Sequence, residues 1–142
     1  MSTSTAERQY ALIVRVDGNF ELIDWPTKSG NTLTTLYKAI ECERVDVVDV
    51  TSRFSMWLDD EGLANGAPIN EYASRLYGLY QPLHQPYWGN VVFTGGPDAE
   101  GDTLGLNLDQ TLELMTRYLD ILVRITNTVD LPDFPRPKKP RD

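Results

Sequence analysis

Five segments of the chain carry dense or alternating apolar residues, a pattern typical of β-strands. They span residues 10–16, 20–25, 44–51, 54–58 and 89–94. β-Branched and aromatic residues dominate these segments, and Gly, Pro, Asn or Asp bound them. Asp17-Gly18-Asn19 lies between the first two segments and is a strong hairpin signal, so we expect those two strands to be antiparallel.

Three other segments repeat apolar residues every three or four positions, which predicts amphipathic helices. The first begins near residue 32, the second near residue 70, and the third runs from Asn107 to about residue 127. Asn70 is the expected N-cap of the second helix. Asn107 and Gln110 have the spacing of a capping box at the start of the third.

The predicted order is therefore β-β-α-β-β-α-β-α. Such runs of adjacent strands with interleaved helices favour an α+β fold, with a mixed, mainly antiparallel sheet of about five strands and helices packed on it. The length of 142 residues fits one domain, which we expect over residues 1–129. Residues 130–142 hold four prolines and four basic residues, which predicts an extended, mobile, disordered tail.

The third helix is apolar on two sides. Leu108, Leu112, Met115, Leu119 and Leu122 form one stripe, and Leu114, Tyr118, Ile121 and Ile125 form a second. One sheet face covers only one side of a helix, so the second stripe needs other cover. We expect that stripe to be the interface of a homodimer; cover by the first two helices is the alternative.

Charge and rare residues narrow the class of protein. The formal net charge of −8 argues against direct binding to nucleic acid. One cysteine, Cys42, excludes an internal disulfide, and one histidine, His84, leaves few nitrogen ligands for a metal. The N-terminus has no apolar signal region, and no apolar run reaches the length of a membrane span. We therefore expect a soluble cytoplasmic protein without cofactor.

The most distinctive polar segment is an acidic turn followed by the start of the second helix. Asp59, Asp60, Glu61 and Asn70 are the candidate ligand-binding residues, because a helix N-terminus carries partial positive charge and can hold a polar ligand. Capping alone also explains Asn70. The turn could converge with the acidic segment 98–102 on a cation, but that segment lacks the glycine of a calcium loop. We expect no metal site.

No catalytic arrangement can be assembled from the sequence, so we expect no enzyme. His84 has no nucleophile beside it, and Cys42 follows a helix C-terminus, which disfavours a thiolate. Tyr87 and Trp88 belong to an aromatic, proline-stiffened segment. Most of that segment should be core edge, but such residues also form interaction surfaces, so both are candidate interface residues.

Several of these features occur together in one known group of proteins. The opening hairpin, the strand ending in Asp59-Asp60-Glu61-Gly62, the helix start Pro68-Ile69-Asn70 with Ala73, and the strand Gly89-Asn90-Val91-Val92 follow in order. In this the chain resembles a small domain-of-unknown-function family of phage, plasmid and integrated-element proteins, common in actinobacteria. The resemblance covers roughly residues 10–120. The resemblance implies that the protein comes from a phage, a plasmid or an integrated element. It implies no activity, cofactor or binding site.

Three functions remain open. The first, which we favour, is a non-enzymatic accessory protein of a phage or mobile element that binds a host or element protein through its aromatic loop or long helix. The second is a module that binds or sequesters a small ligand, using the acidic loop and the N-terminus of the second helix. The third is an acidic mimic of nucleic acid, which the moderate and irregular distribution of charge makes weaker.

Overall fold

A five-stranded antiparallel sheet forms the centre of the protein, with strand order β2-β1-β5-β4-β3. The structure is a computed structural model that describes residues 8–26 and 31–128, with side chains up to Ile125. The strands are β1 (Tyr10–Val14), β2 (Phe20–Asp24), β3 (Val45–Thr51), β4 (Phe54–Asp59) and β5 (Val91–Gly95). The helices are α1 (Thr32–Ile40), α2 (Glu71–Gly78) and α3 (Leu108–Thr128).

Burial explains why the strands differ in composition. β1 and β5 are central and buried on both faces, which suits their nearly continuous apolar sequences. β2 and β3 are the edges of the sheet; β2 is mostly exposed, β3 is partly exposed, and both sequences mix apolar with acidic residues. The hairpin between β1 and β2 turns through Gly18, whose φ of +92° suits glycine.

The sheet separates two hydrophobic cores of unequal size. The larger core lies between the sheet and helices α2 and α3, and centres on Leu12, Phe54, Met56, Phe93 and Tyr118. The smaller core lies on the other face, where α1 contributes Leu36 and Ile40. Cys42 packs against this smaller core, as expected of an inert thiol.

The two helices over the larger core run in opposite directions. α2 starts beside the end of β1, where Asn70 bonds to Val14, and the chain after it reaches Val50 through Gln81. α3 starts beside the β3–β4 turn, where Gln110 bonds to Arg53, and Tyr118 further along reaches Gly18. Both helices therefore cross the sheet diagonally: α2 runs from the end of β1 towards β3, and α3 runs from the β3–β4 turn towards the β1–β2 hairpin.

The predicted α+β class and element order are confirmed, and every strand pairing is antiparallel. The expected capping box is present: Asn107 N–H donates to Gln110 Oε1, and Gln110 N–H donates to Asn107 Oδ1. α2 ends at Gly78, because the chain then tightens into turns with hydrogen bonds to the residue three positions back. The predicted tail over 130–142 lies outside the described residues.

Candidate functional site

Asn70 is a buried structural junction. Its side chain has no exposed surface. Its amide nitrogen donates to the carbonyl oxygens of Val14 at 3.0 Å and Gly89 at 2.8 Å, and its Oδ1 accepts from Ala73 N–H at 2.9 Å. One side chain thus joins β1, the approach to β5 and the first turn of α2. The expected N-cap is confirmed, but the expectation that Asn70 binds a ligand is wrong, because both amide hydrogens and the oxygen are already bonded inside the protein.

The acidic turn after β4 is engaged by its own neighbours. Asp59 accepts a hydrogen bond from Glu61 N–H at 2.9 Å. Arg44, which precedes β3, forms ion pairs with Asp60 at 3.4 Å and with Glu61 at 3.7 Å. These groups remain solvent-exposed, so the ion pairs contribute little to stability. The turn is a local surface structure, separate from the buried Asn70.

The two acidic segments lie at opposite ends of the sheet. β4 and β5 are antiparallel, with Trp57 opposite Val92 and Phe54 opposite Gly95. The turn after β4 therefore lies at the start of β5, whereas residues 98–102 follow the end of β5. That second segment closes on itself, since Asp98 Oδ1 accepts from the N–H groups of Glu100 and Asp102. The two do not converge, and the described residues include no cluster of three possible metal ligands.

The aromatic segment before β5 is largely part of the core. Tyr87 is 8% exposed and packs edge to face against Tyr77, with ring centroids 5.2 Å apart. Burial and a hydrogen bond to Tyr77 raise the pKa of Tyr87 to about 12. Trp88 is half-buried and bridges to Ile69. The expectation that Tyr87 lies at an interface is wrong, because its ring fills the protein's own core.

The two stripes of α3 are reversed relative to the sequence prediction. We name Leu114, Tyr118, Ile121 and Ile125 the inner stripe, and Leu108, Leu112, Leu119 and Val123 the outer stripe. The inner stripe is 0–5% exposed and packs in the larger core, so its assignment as a dimer interface is wrong. The outer stripe is 45–62% exposed. Met115 and Leu122 lie between the two and are half-buried.

Tyr118 shows why the inner stripe faces the sheet. Its hydroxyl donates to the carbonyl oxygen of Gly18 at 2.6 Å, and its ring packs edge to face on Phe20 at 5.3 Å. Burial raises the pKa of the Tyr118 hydroxyl, which stays protonated as a donor. The periodicity of α3 gives the angle between its stripes but carries no information about which one contacts the sheet. The sequence therefore could not show which of the two stripes is buried against the sheet.

A network around Glu113 was missing from the sequence analysis. Tyr80 donates its hydroxyl to Glu113 at 2.8 Å, and Arg53 and Arg117 form ion pairs with the same carboxylate at 3.2 and 3.7 Å. The hydrogen bond from Tyr80, with both guanidinium groups, lowers the pKa of Glu113. The network joins the β3–β4 turn, the end of α2 and α3. No motif links these residues in the sequence, because their proximity depends on the helix pairing.

A groove open to solvent lies between α2 and α3, with a volume of about 540 Å³. Leu79, Leu83 and Ile121 provide apolar surface, and Arg75 and Arg124 lie at its rim. Both arginines already form ion pairs within their own helices, with Glu71 and Asp120, each at 2.8 Å. The groove has a size suited to a small ligand, but its charged groups are paired.

The Cys42 thiol is not activated as a nucleophile. Burial and the nearby Asp59 raise the pKa of the Cys42 thiol, which keeps it protonated. His84 is exposed in the loop after α2. Over the part of the chain that the structure describes, no helix combines the length and apolar character needed to cross a membrane.

The fold and its surface define a small α+β domain with a buried, fully hydrogen-bonded Asn70 and an apolar outer helix face. Its sequence matches DUF3846, a domain of unknown function, over residues 8–121, and the chain belongs to that family. The expected membership of a domain-of-unknown-function family is thereby confirmed. Comparison with curated proteins found no match, and comparison with solved structures found none.

Proposed function

We propose that this protein is a non-enzymatic accessory protein that acts by binding another protein through the outer stripe of α3. The observation that carries the proposal is the exposure of that stripe: Leu108 is 62% exposed, Leu112 and Val123 are 56% exposed, and Leu119 is 45% exposed. The sequence resemblance supports a phage or another mobile element as the source of the protein and a host or element protein as its partner, and the single cysteine supports a place in the cytoplasm.

The outer stripe has the chemistry of a protein-binding surface. It extends over roughly 22 Å of helix, at 1.5 Å per residue. Met115 and Leu122 widen it, and no charged residue interrupts it. Monomeric proteins rarely leave a contiguous apolar surface of this kind open to water. The centres of protein interfaces are likewise depleted of charge.

The remaining polar groups support binding over catalysis. Asn70 is saturated, Glu113 is held by three partners, and the Cys42 thiol is kept protonated. Enzyme sites instead present titratable groups to a cleft with altered pKa values that suit proton transfer. The accessory function therefore needs only the fold and its outer surface.

A small-ligand function is the second candidate, and one observation favours it. The groove between α2 and α3 has a suitable volume and an apolar lining. It replaces the acidic loop and Asn70 as the place where a ligand would bind. The nucleic-acid mimic has less support, because the acidic segments lie at opposite ends of the sheet and several carboxylates are paired with arginines.

Site-specific photo-cross-linking tests the proposed function. A photoreactive side chain at Leu112 should cross-link to a defined protein in cells that carry the native gene, whereas the same group at Leu63, 65% exposed in the acidic turn, should not. The captured protein is then purified, and its binding should be lost with Leu112→Glu. Equal cross-linking from both positions, or binding unaffected by Leu112→Glu, would contradict the proposal.

A further inference from the structure

The loop between β4 and α2 contains an asparagine followed by a glycine, Asn65-Gly66, and this dipeptide occurs once in the chain. The loop turns through Gly66, whose φ of +77° lies in the left-handed region that glycine adopts readily. Asparagine and glycine are common in turns for this conformational reason. The pair is also chemically reactive, because glycine has no Cβ to shield its backbone nitrogen from the asparagine side chain that precedes it.

The Asn65 side chain is free to change its orientation. It is exposed to solvent, and within residues 8–26 and 31–128 no hydrogen bond to this side chain is present. The Asn65 backbone is held, since its N–H donates to the Glu61 carbonyl oxygen at 2.8 Å. The side-chain amide can therefore turn towards the next peptide bond without breaking a hydrogen bond of its own.

The backbone nitrogen of Gly66 is accessible to that amide. Gly66 is exposed, and a methyl group added at its Cα would meet no atom within 4 Å, so a ring formed here has room. Its N–H donates to the Leu63 carbonyl oxygen at 3.1 Å, a bond that must open before the nitrogen can react. Residues 63–66 are all exposed, and surface segments of this kind open locally at little cost in free energy. The fold therefore gives this nitrogen little protection.

The β1–β2 hairpin contains a related dipeptide, Asp17-Gly18, which the fold does protect. An aspartate before a glycine can close the same ring, although a carboxylate is a poorer electrophile than an amide. Asn19 donates to both carboxylate oxygens of Asp17, from its N–H and from Nδ2, each at 2.9 Å. A methyl group added at Gly18 would lie 2.9 Å from the Tyr72 ring. The hairpin thus lacks both the free side chain and the open space of the Asn65 loop.

The other asparagines of the chain precede residues whose side chains shield the backbone nitrogen. They are Asn19, Asn31, Asn70, Asn90, Asn107 and Asn127. Asn70 is also buried, with its side chain bonded to three backbone groups, and Asn107 is bonded within its capping box. Sequence and structure therefore both single out Asn65 as the most reactive asparagine.

We propose that Asn65 is a site of spontaneous deamidation in the folded protein. The Gly66 nitrogen forms a bond to Cγ of Asn65, and the side-chain NH₂ leaves as ammonia, taking the proton that the Gly66 nitrogen releases. The product is a five-membered succinimide ring. Water then opens the ring at either carbonyl carbon, which leaves aspartate or isoaspartate. In isoaspartate the main chain passes through the former side-chain carbon.

The two products change the charge of the loop and, for isoaspartate, the length of its main chain. Either product replaces a neutral amide with a carboxylate, close in sequence to the acidic turn that Arg44 pairs with. Ala67 N–H donates to the Gly62 carbonyl oxygen at 2.9 Å and closes the loop around Asn65, so the longer main chain of isoaspartate should weaken that closure. The loop contains no residue of the outer stripe, and the modification is independent of the proposed function.

Mass spectrometry of peptides from the full chain tests the proposed site. After several days in warm, mildly alkaline buffer, the peptide with Asn65 should increase in mass by the difference between OH and NH₂ and separate into an aspartate and an isoaspartate form. The reaction should be at least roughly 10-fold faster at Asn65 than at Asn19 or Asn107, because only Asn65 precedes a residue without Cβ. Asn65→Gln is the control: it keeps an exposed amide but should stay unmodified, since its ring closure requires a six-membered ring that forms slowly.

A urea-denatured sample of the same chain separates the effect of the fold from that of the sequence. Asn65 should react in the folded chain within roughly 10-fold of its rate in urea, since the loop opens locally. Asp17 should isomerise in urea and stay unchanged in the folded chain. An Asn65 that stays intact in the folded chain while it reacts in urea would overturn the proposed site, and so would a rate at Asn65 no higher than at Asn19. Isomerisation of Asp17 in the folded chain as fast as deamidation of Asn65 would overturn the distinction between the two loops.

Discussion

Asn70 and the outer stripe of α3 are opposite exceptions to the usual placement of side chains. Asn70 is a polar residue with no exposed surface, and all its contacts are within the chain. The outer stripe is a row of large apolar residues, each at least 45% exposed. A buried polar group that is fully hydrogen-bonded specifies the fold, whereas an apolar group left in water has no role in holding it. Only the second kind of exception leaves surface for a partner.

The largest expected effect comes from charging the inner stripe. The double variant Tyr118→Glu and Ile121→Glu should fail to fold, because buried carboxylates without partners cost several kcal/mol each. The control, Leu112→Glu with Leu119→Glu on the outer stripe, should fold and unfold cooperatively. Circular dichroism with thermal melting separates the two outcomes. A folded inner-stripe variant would show that the two stripes have been assigned to the wrong sides.

Replacing Asn70 should give the next largest effect. Asn70→Ala should lower the free energy of unfolding by at least about 3 kcal/mol, since two carbonyls and one N–H lose partners at roughly 1–3 kcal/mol each. Asn107 is the matched control, because it is an exposed N-cap and Asn107→Ala should cost only about 1 kcal/mol. Urea denaturation of both variants measures the difference. Equal losses of stability in the two variants would show that Asn70 acts only as a helix cap, as Asn107 does.

Sequence reasoning predicted the fold better than it predicted the site. Alternation and spacing identified the five strands and three helices found among the described residues, because local backbone preference and burial act over a few residues. Asn70 was recognised as a cap, but its bond to Val14 spans 56 residues and leaves no local signal. The exposure of Leu112 and the burial of Tyr118 likewise depend on where β1 and β2 lie relative to α3. Sites made of distant segments require the pairing of those segments to be known.

A smaller effect is expected at a second buried polar contact. Tyr118→Phe keeps the ring against Phe20 and removes only the hydroxyl that bonds to Gly18. The loss of one hydrogen bond to a buried carbonyl should lower the free energy of unfolding by about 1–2 kcal/mol. Calorimetry should show a lower melting temperature with unchanged cooperativity. An unchanged melting temperature would mean that water bonds to the Gly18 carbonyl in the variant.

Glu113 is intermediate between the buried Asn70 and the exposed outer stripe, since its side chain is 27% exposed and also bonded. Its pKa is lowered in the folded state by Tyr80, Arg53 and Arg117, so its contribution to stability is present above the ordinary glutamate pKa of 4.5 and is lost as the pH falls through the lower folded pKa. Glu113→Gln should therefore destabilise the protein by roughly 1 kcal/mol at pH 7 and progressively less in acid. Melting curves from pH 7 to pH 3 test this. If the stability difference between Glu113→Gln and the unchanged protein stayed constant across that range, the charge of Glu113 would not be what stabilises the network.

The strand order has a consequence for how the chain acquires its structure over time. β2-β1 and β4-β3 are each joined by short connections and can form as separate hairpins soon after those residues are available. They have no direct contact within the sheet until β5 inserts between them, pairing Phe93 with both Leu12 and Met56. Closing the long loop from β1 to β5 is entropically costly and slow. During synthesis the inner edges of the two hairpins, on β1 and β4, therefore stay unpaired until residues beyond 90 are made.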